Sequence, residues 1–428
     1  MCRMKASIWI ILILITLTSL TNAQSRKAKI EIGVQSTSLT LFDPDFPGDV
    51  TEPGVGGRVT YNFTRAIAAE AEVNFFPQKR AYFFGNGRTV QAQFGVKAGK
   101  RFDKFGIFAK VRPGFLTAGD VFSLEPGSTL VTAGFTQPNA RIGRKTLFTT
   151  DIGGVLEFYP SKRTIVRLEA GDTLVRHYKH YEYQDGNFPN IVVTRDAKFT
   201  NNFQFTAGVG FRLGDFDKSP DQPLDSSDVP RFEVGAQFTS LSVNPPAIAC
   251  GACGLIGGFP SHTEPGFGGR FSFNLTDNIA IEAESNYFTR TLSSPSILPA
   301  GHMFQGQFGI KAGKRFDRWG VFGKARPGFV GFTQASELVG THTILFSGQP
   351  FVLGDFQVNK TLYPSLDFGG VVEFYISRRW MTRMDFGDTV IRYGKYQVGG
   401  FALSLAITTR PPETHHNFQY SAGIGFRF

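Results

Sequence analysis

Charged side chains stand at alternate positions along many apolar segments of this sequence. In residues 66–76, Glu70, Glu72 and Asn74 alternate with apolar residues. Because neighbouring side chains of a β-strand point to opposite faces, the pattern predicts strands with one apolar and one charged face. In the first half of the chain, the charged residues on this face are Glu31, Arg58, Glu70, Glu72, Lys97, Arg101, Lys110, Arg112, Asp151, Glu157, Arg167, Glu169 and Arg212.

The second half of the chain carries a matching set with the same sign of charge at every position. Acids and bases in near-balanced numbers must pair inside a narrow interior, because an unpaired buried charge is costly. The two sets therefore predict packed ionic cores, and a charged pore lining or a proton relay is the functional alternative. The second set is Glu233, Arg270, Glu282, Glu284, Lys311, Arg315, Lys324, Arg326, Asp367, Glu373, Arg383, Asp385 and Arg427.

Histidines offer little for catalysis or metal binding. All seven fall in predicted loops or at strand ends. The pair His415 and His416 lies near Ser421, but Ser421 is five residues further along the strand and on its inward face. His177 and His180 provide two ligands, which are too few for a metal site. We therefore expect no catalytic residue, no metal site, no cofactor and no enzymatic activity.

Two cysteines remain after the N-terminal region, Cys250 and Cys253, in a predicted loop of the second half. A CxxC pair can be a redox couple or half of a zinc site. The sequence has no second cysteine pair and no thioredoxin-like context around this one. A local disulfide in an oxidising compartment is the favoured interpretation.

The chain is a tandem duplication. The segment from Gly95 to Phe115 returns as Gly309 to Phe329, 214 residues later. We expect one domain at 24–213, a linker at 214–230 with five Asp and three Pro residues, and a second domain at 231–428. Strict alternation of apolar with charged residues is typical of a wall between lipid and a polar interior.

Each domain resolves into eight predicted strands. Short connections at 62–65, 102–105 and 160–163 alternate with long ones at 41–54, 77–88, 117–147 and 176–200. This rhythm is typical of an up-and-down outer-membrane β-barrel, with the face opposite the lipid expected to be charged or glycine. In the first domain the strands cover 29–40, 55–63, 66–76, 89–102, 105–116, 148–159, 164–175 and 201–213.

Four residues depart from this pattern. Asp172 and Asp388 fall on the lipid face by strict alternation, unless a β-bulge at the preceding glycine turns them inward. Pro113 and Pro327 cannot donate a backbone hydrogen bond, so a bulge or a strand end is expected there.

The N-terminal region has the features of a secretory signal peptide at 1–23. Arg3 and Lys5 precede an apolar stretch at 8–20, and Ala23 ends a small-residue cleavage site. The net charge of +10 raises nucleic acid as a partner. The basic residues are interleaved with acids along the strands and form no basic run, so we expect no nucleic-acid binding.

The last predicted strand carries the most specific pattern. Apolar residues occupy every second position from Phe418 onward, and the chain ends on Phe428. Together with the eight-strand rhythm, this resembles the OmpA/OmpX-type β-barrels of Gram-negative bacteria. The resemblance implies an outer-membrane location, contact with outer-membrane lipid, and recognition of Phe428 by the barrel assembly machinery. It extends to architecture and to no particular subfamily.

Two architectures and two functions follow as expectations. The linker length favours two tandem eight-stranded barrels over one sixteen-stranded barrel, since adjacent strands of one barrel need only a short turn. A soluble protein of two β-sandwiches is a further alternative. We expect a non-enzymatic surface protein whose long loops, such as 117–147 and 331–361, bind an unknown extracellular ligand. A passive, porin-like channel is the alternative function.

Overall fold

The computed structural model describes most of the chain and is all-β there. The predicted signal peptide, most of the predicted linker and both loop cysteines lie outside this part. Its 22 strands are antiparallel, and it contains no helix, hence none long and apolar enough to cross a membrane. The predicted antiparallel all-β barrel fold is thus confirmed. The described residues are 29–42, 49–78, 87–124, 140–184, 191–214, 229–244, 246, 262–292, 299–346, 349–398 and 408–428.

Strands of the first half pair in a closed ring, here the first ring. It comprises β1 (Ile30–Phe42), β2 (Asp49–Asn62), β3 (Ile67–Phe76), β4 (Thr89–Arg101), β5 (Phe105–Leu124), β6 (Ala140–Phe158), β7 (Thr164–His177) and, after three short strands, β11 (Phe203–Leu213). Each strand pairs with the next, and β11 returns to pair with β1. The short strands are β8 (His180–Gln184) and β9 (Ile191–Arg195), which form a separate hairpin, and β10 (Lys198–Thr200), which pairs with β7.

Strands of the second half pair in a second ring. It comprises β12 (Phe232–Val243), β13 (His262–Asn274), β14 (Ile279–Leu292), β15 (Pro299–Arg315), β16 (Trp319–Phe346), β17 (Gln349–Tyr375), β18 (Trp380–Tyr393) and, after three short strands, β22 (Phe418–Arg427). Here β22 returns to pair with β12. The short strands are β19 (Tyr396–Val398) and β20 (Thr408–Arg410), which pair with each other, and β21 (Glu413–His415), which pairs with β18.

The strands run further than the alternation of charge predicts. Much of the predicted loop 117–147 is strand, because β5 continues to Leu124 and β6 begins at Ala140. In the second half, β16 has 28 residues and β17 has 27. A strand of that length extends roughly 90 Å, whereas about ten residues suffice to cross a bilayer. Beyond the ring the hairpin is held by its own backbone pairing, which needs no alternation of apolar and charged residues.

The outward faces of the two rings meet along a seam. Phe205 of β11 stacks on Phe238 of β12 with ring centroids 4.1 Å apart. Beside this stack, where Ser38 is in register with Phe205, the hydroxyls of Ser38 and Ser240 lie 3.4 Å apart. The apolar part of the seam consists of Val166, Phe205 and Ala207 from the first ring and Phe238, Met384, Tyr420 and Ala422 from the second.

Both rings have their short turns at the same end. The turn between β6 and β7 and the turn between β15 and β16 touch, since Arg318 Nη1 donates a hydrogen bond to the carbonyl oxygen of Pro160. The rings therefore stand side by side with their short turns together and their long hairpins together.

Candidate functional site

All 26 charged residues predicted to face inward are buried or nearly buried inside the two rings. Every one lies within 4.0 Å of an oppositely charged partner. Side chains on facing strands converge because each ring has only eight strands. The inward charges of each ring are accordingly paired with one another.

The inward charges of the first ring form two successive levels along the strands, here called tiers. The tier next to the short turns is centred on Lys97. Its ammonium group contacts Glu157 and lies 3.3 Å from Glu70. Arg101 bridges Glu157 and Glu31 at 3.3 Å and 3.4 Å. The hydroxyl of Tyr159 donates to Glu157 at 2.9 Å. Each carboxylate here has at least two positively charged or hydroxyl neighbours.

The middle tier is centred on Arg112, whose side chain is fully buried. Its guanidinium donates through Nε and Nη2 to one oxygen of Asp151, at 3.0 Å and 2.6 Å. Nη2 also reaches Glu169 at 2.9 Å, and Nη1 binds Glu72. The planar guanidinium joins three strands in this way. Arg167 closes the tier by binding Glu70 through both terminal nitrogens.

The second ring repeats these contacts around Arg326 and Arg383 with one informative difference. Where the first ring has Glu169, the second has Asp385, which is one methylene shorter. The lysine contact lengthens from 2.7 Å for Lys110–Glu169 to 3.9 Å for Lys324–Asp385. The second network is therefore looser at this position.

Glycines on the inward face make room for arginine. A Cβ atom built on Gly33 would lie 3.2 Å from Nη2 of Arg58, and one built on Gly235 would lie 3.1 Å from Nη2 of Arg270. Larger side chains at these two glycines would therefore displace a guanidinium from its carboxylates.

Two inward carboxylates, Glu52 and Glu264, were not predicted. Both are buried, at 1% exposure, on β2 and β13. They give each ring seven acids to match its seven bases. Glu52 was missed because the sequence placed it in the loop 41–54, ahead of the predicted strand.

A chain of amide and hydroxyl side chains lies above the ionic tiers and was also missed. In the first ring, Asn74 donates to Gln91 at 2.9 Å, and Gln91 donates to Gln204 at 3.0 Å. In the second ring, Asn286 donates to Gln305 at 2.8 Å, and Gln305 donates to Gln419 at 2.9 Å. The sequence signal that could have predicted this chain was the alternation itself, which places Asn74, Gln91 and Gln204 on the inward face although they carry no charge.

Apolar side chains are buried on the inward faces nearer the long hairpins, which corrects the expectation that the inward face is charged or glycine. Near the short turns, the inward residues are paired charges and the glycines that make room for them. Nearer the long hairpins, the inward residues are apolar and buried. In the first ring these residues are Leu39, Leu41, Phe76, Leu116 and Val175. In the second ring they are Leu241, Val243, Phe288, Met303, Val330, Phe332, Ile391 and Tyr393.

No bulge or strand end occurs at the four exceptional residues. Asp172 and Asp388 lie on the outward face in regular register, as strict alternation predicts, and no β-bulge turns them inward. Strand β5 continues through Pro113, and its register with β4 is unchanged on either side; β16 does the same at Pro327. A proline removes one hydrogen bond from the ladder, and the pairing on its other side holds the strand in place.

The chain end closes the second ring. The backbones of Phe428 and Phe232 exchange hydrogen bonds of 2.9 Å and 3.0 Å, and their rings stack at 5.7 Å. His416 contacts Asp388, and His415 contacts Glu413, but the described residues contain no cluster of three or more potential metal ligands.

Comparison with known proteins gives no family. No protein-family model and no curated protein matches the chain. Among solved structures, neisserial surface protein A matches with 9% identity and a TM-score of 0.28, over 43% of this chain and 97% of its own. The attachment invasion locus protein Ail of Yersinia pestis matches with 12% identity and a TM-score of 0.27, over 44% and 99%. A siderophore receptor, PirA of Acinetobacter baumannii, matches with 10% identity and a TM-score of 0.33, over 95% and 81%. These scores are too low to support a conclusion about fold or function.

Proposed function

We propose that this chain is an outer-membrane protein of a Gram-negative-type bacterium, built as two tandem eight-stranded barrels. The return of β11 to β1 and of β22 to β12 supports two barrels. One sixteen-stranded barrel would pair β11 with β12 and β22 with β1 instead. Residues 24–213, expressed alone and refolded in detergent, should run as a folded, heat-modifiable monomer. Failure of this half to close would favour the single large barrel.

Exposed apolar side chains on the outward faces support the membrane location. Val34 is 69% exposed, Phe94 60% and Phe308 61%. A soluble β-sandwich would bury such residues between its sheets and leave the charged face in water. The full-length protein should require detergent for solubility and show a heat-modifiable gel shift. A folded protein that stays soluble without detergent would exclude this location.

A closed interior is the central part of the proposal. Ionic pairs, an amide chain and an apolar seal fill each ring in succession, and the apolar seal opposes the entry of water. In planar bilayers the full-length protein should give no stable conductance steps. Stable steps of the size given by general porins would favour the alternative, a passive channel.

Binding at the cell surface is the proposed role, carried by the long hairpins and without an enzymatic step or cofactor. The β16–β17 hairpin presents apolar residues to solvent, including Val339 at 57%, Leu345 at 76% and Val358 at 60% exposure. Exposed apolar residues grouped on one element mark binding surfaces. Deletion of residues 338–357 should abolish binding in a screen against host-cell and matrix surfaces. Deletion of the β8–β9 hairpin is the matched control.

Assembly is proposed to depend on the terminal strand. The barrel assembly machinery is the expected partner of Phe428, and membrane lipid is the expected partner of the outward faces. Phe428→Ser should lower the amount of assembled protein in the membrane while leaving refolding in detergent largely intact.

A further inference from the structure

A groove of about 480 Å³ runs beside the seam between the two rings. Strands β1, β2 and β11 form one wall, and β17 and β18 form the other. None of its twelve lining residues is charged. The walls are formed by Val34, Val55, Val209, Val372, Phe374 and Phe386.

The groove is open to the medium around the rings. Val34 and Val55, on its outer rim, are 69% and 58% exposed. Its inner end is continuous with the seam, where Met384 and Ala207 are almost completely buried. A chain-like apolar molecule in this groove would contact both rings, whereas one on the plain outer wall would contact a single ring.

The groove lies towards the short-turn end of the strands that line it. Phe374 lies one residue before the end of β17, so the groove begins beside the short turns. The turn that follows β17 exposes Arg378 and Arg379 to solvent. Guanidinium groups at the polar end of an apolar groove complement a phosphate group.

We propose that this groove binds one acyl chain of a phospholipid, with the headgroup phosphate at the level of Arg378 and Arg379. The proposal rests on the membrane location proposed above. Contact with two rings gives each methylene more van der Waals contacts than contact with one barrel wall does, so this lipid should exchange more slowly than its neighbours. The bound phospholipid would then form part of the join between the two rings.

The test is native mass spectrometry of the full-length protein purified from membranes in mild detergent. The wild type should retain one phospholipid per chain. Val55→Trp places an indole ring in the groove and should lower this retention roughly ten-fold, because the acyl chain loses its van der Waals contacts with one wall. Val111→Trp, on the outward face of β5 away from the seam, is the matched control and should retain the lipid as the wild type does.

A second variant tests the headgroup. Arg378→Ser combined with Arg379→Ser should lower retention several-fold and leave the heat-modifiable gel shift unchanged. Equal retention in the Val55→Trp and Val111→Trp proteins, or retention of detergent alone by the wild type, would overturn the proposal. Absence of a heat-modifiable gel shift in the wild type would instead refute the proposed membrane barrel. Failure of the lipid site and failure of the barrel are therefore distinguishable.

Discussion

The carboxylate of Asp172 accepts a hydrogen bond from the backbone N–H of Asn202 at 2.6 Å, although Asp172 stands on the outward face of β7. The side-chain amide of Asn202 donates in turn to the carbonyl oxygen of Thr173 at 2.8 Å. Asp388 and Asn417 repeat this arrangement in the second ring. The acid is therefore the acceptor that fixes the break between β10 and β11.

Asp172→Ala should destabilise the first ring by about 1–3 kcal/mol, because it leaves a backbone donor without its acceptor. Urea titration of the refolded protein, followed by the gel shift, measures the change in unfolding free energy. Asp196→Ala, at an exposed position between β9 and β10, should change it by less than about 0.5 kcal/mol. Equal effects would mean that the carboxylate does not hold the strand break.

Arg112→Ala should cost about 3–5 kcal/mol, since it leaves Asp151, Glu72 and Glu169 buried beside a missing partner. Val111→Ala, on the neighbouring outward position, should cost about 1 kcal/mol or less, because Val111 is already 45% exposed. The same urea titration compares the two. Equally small losses would indicate a wide, water-filled interior and would favour the large pore.

The Glu169–Asp385 difference predicts opposite effects of two reciprocal substitutions. Glu169→Asp should lengthen the contacts to Lys110 and Arg112 and destabilise the first ring by about 1–2 kcal/mol. Asp385→Glu should shorten the contact to Lys324 and leave the second ring equally or more stable. Unfolding of the two single variants, read against the wild type, checks the sign. Destabilisation of similar size in both would show that carboxylate reach is not the limiting factor.

Two glutamines on β4 offer a matched pair. Gln91 is hydrogen-bonded to Asn74 and Gln204, so Gln91→Leu should leave both short of a partner and cost about 1–3 kcal/mol. Gln93 is equally buried, but its amide has no hydrogen-bond partner among the described residues. Gln93→Leu should therefore be neutral or stabilising. A larger loss for Gln93→Leu than for Gln91→Leu would contradict this account of the amide chain.

The alternation of charge predicted the eight strands that form the first ring, though β2, β5 and β6 extend well beyond the predicted ends, and it predicted a common face for the 13 charges of each half. That signal is strong because a shift of one residue would move every charge to the apolar face. The signal was absent where no strand was predicted and where the inward residues carry no charge. Glu52 lay outside a predicted strand, and Gln91 and Gln204 carried no charge to mark them.

The pairing inside the rings could not be read from the sequence. Whether Lys110 meets Asp151 or Glu169 depends on strand stagger, which alternation does not specify. The inward apolar seal, including Leu39 and Leu116, was missed for a related reason. Its residues share the inward positions of the charges but resemble outward residues in type.

The lengths of β16 and β17 have a consequence for how this molecule meets others. Within each ring, every strand pairs with a neighbour on both sides, and Thr51 of β2 also pairs with Thr263 of β13 across the two rings. Pairing of β16 with β15 ends at Ala335, and pairing of β17 with β18 ends at Ser365. Past these residues the hairpin carries two outer borders that none of the described ring strands covers, and such borders template the addition of further strands. Among the described residues, the hairpin with the longest strands therefore keeps backbone hydrogen-bonding groups open along both of its outer borders.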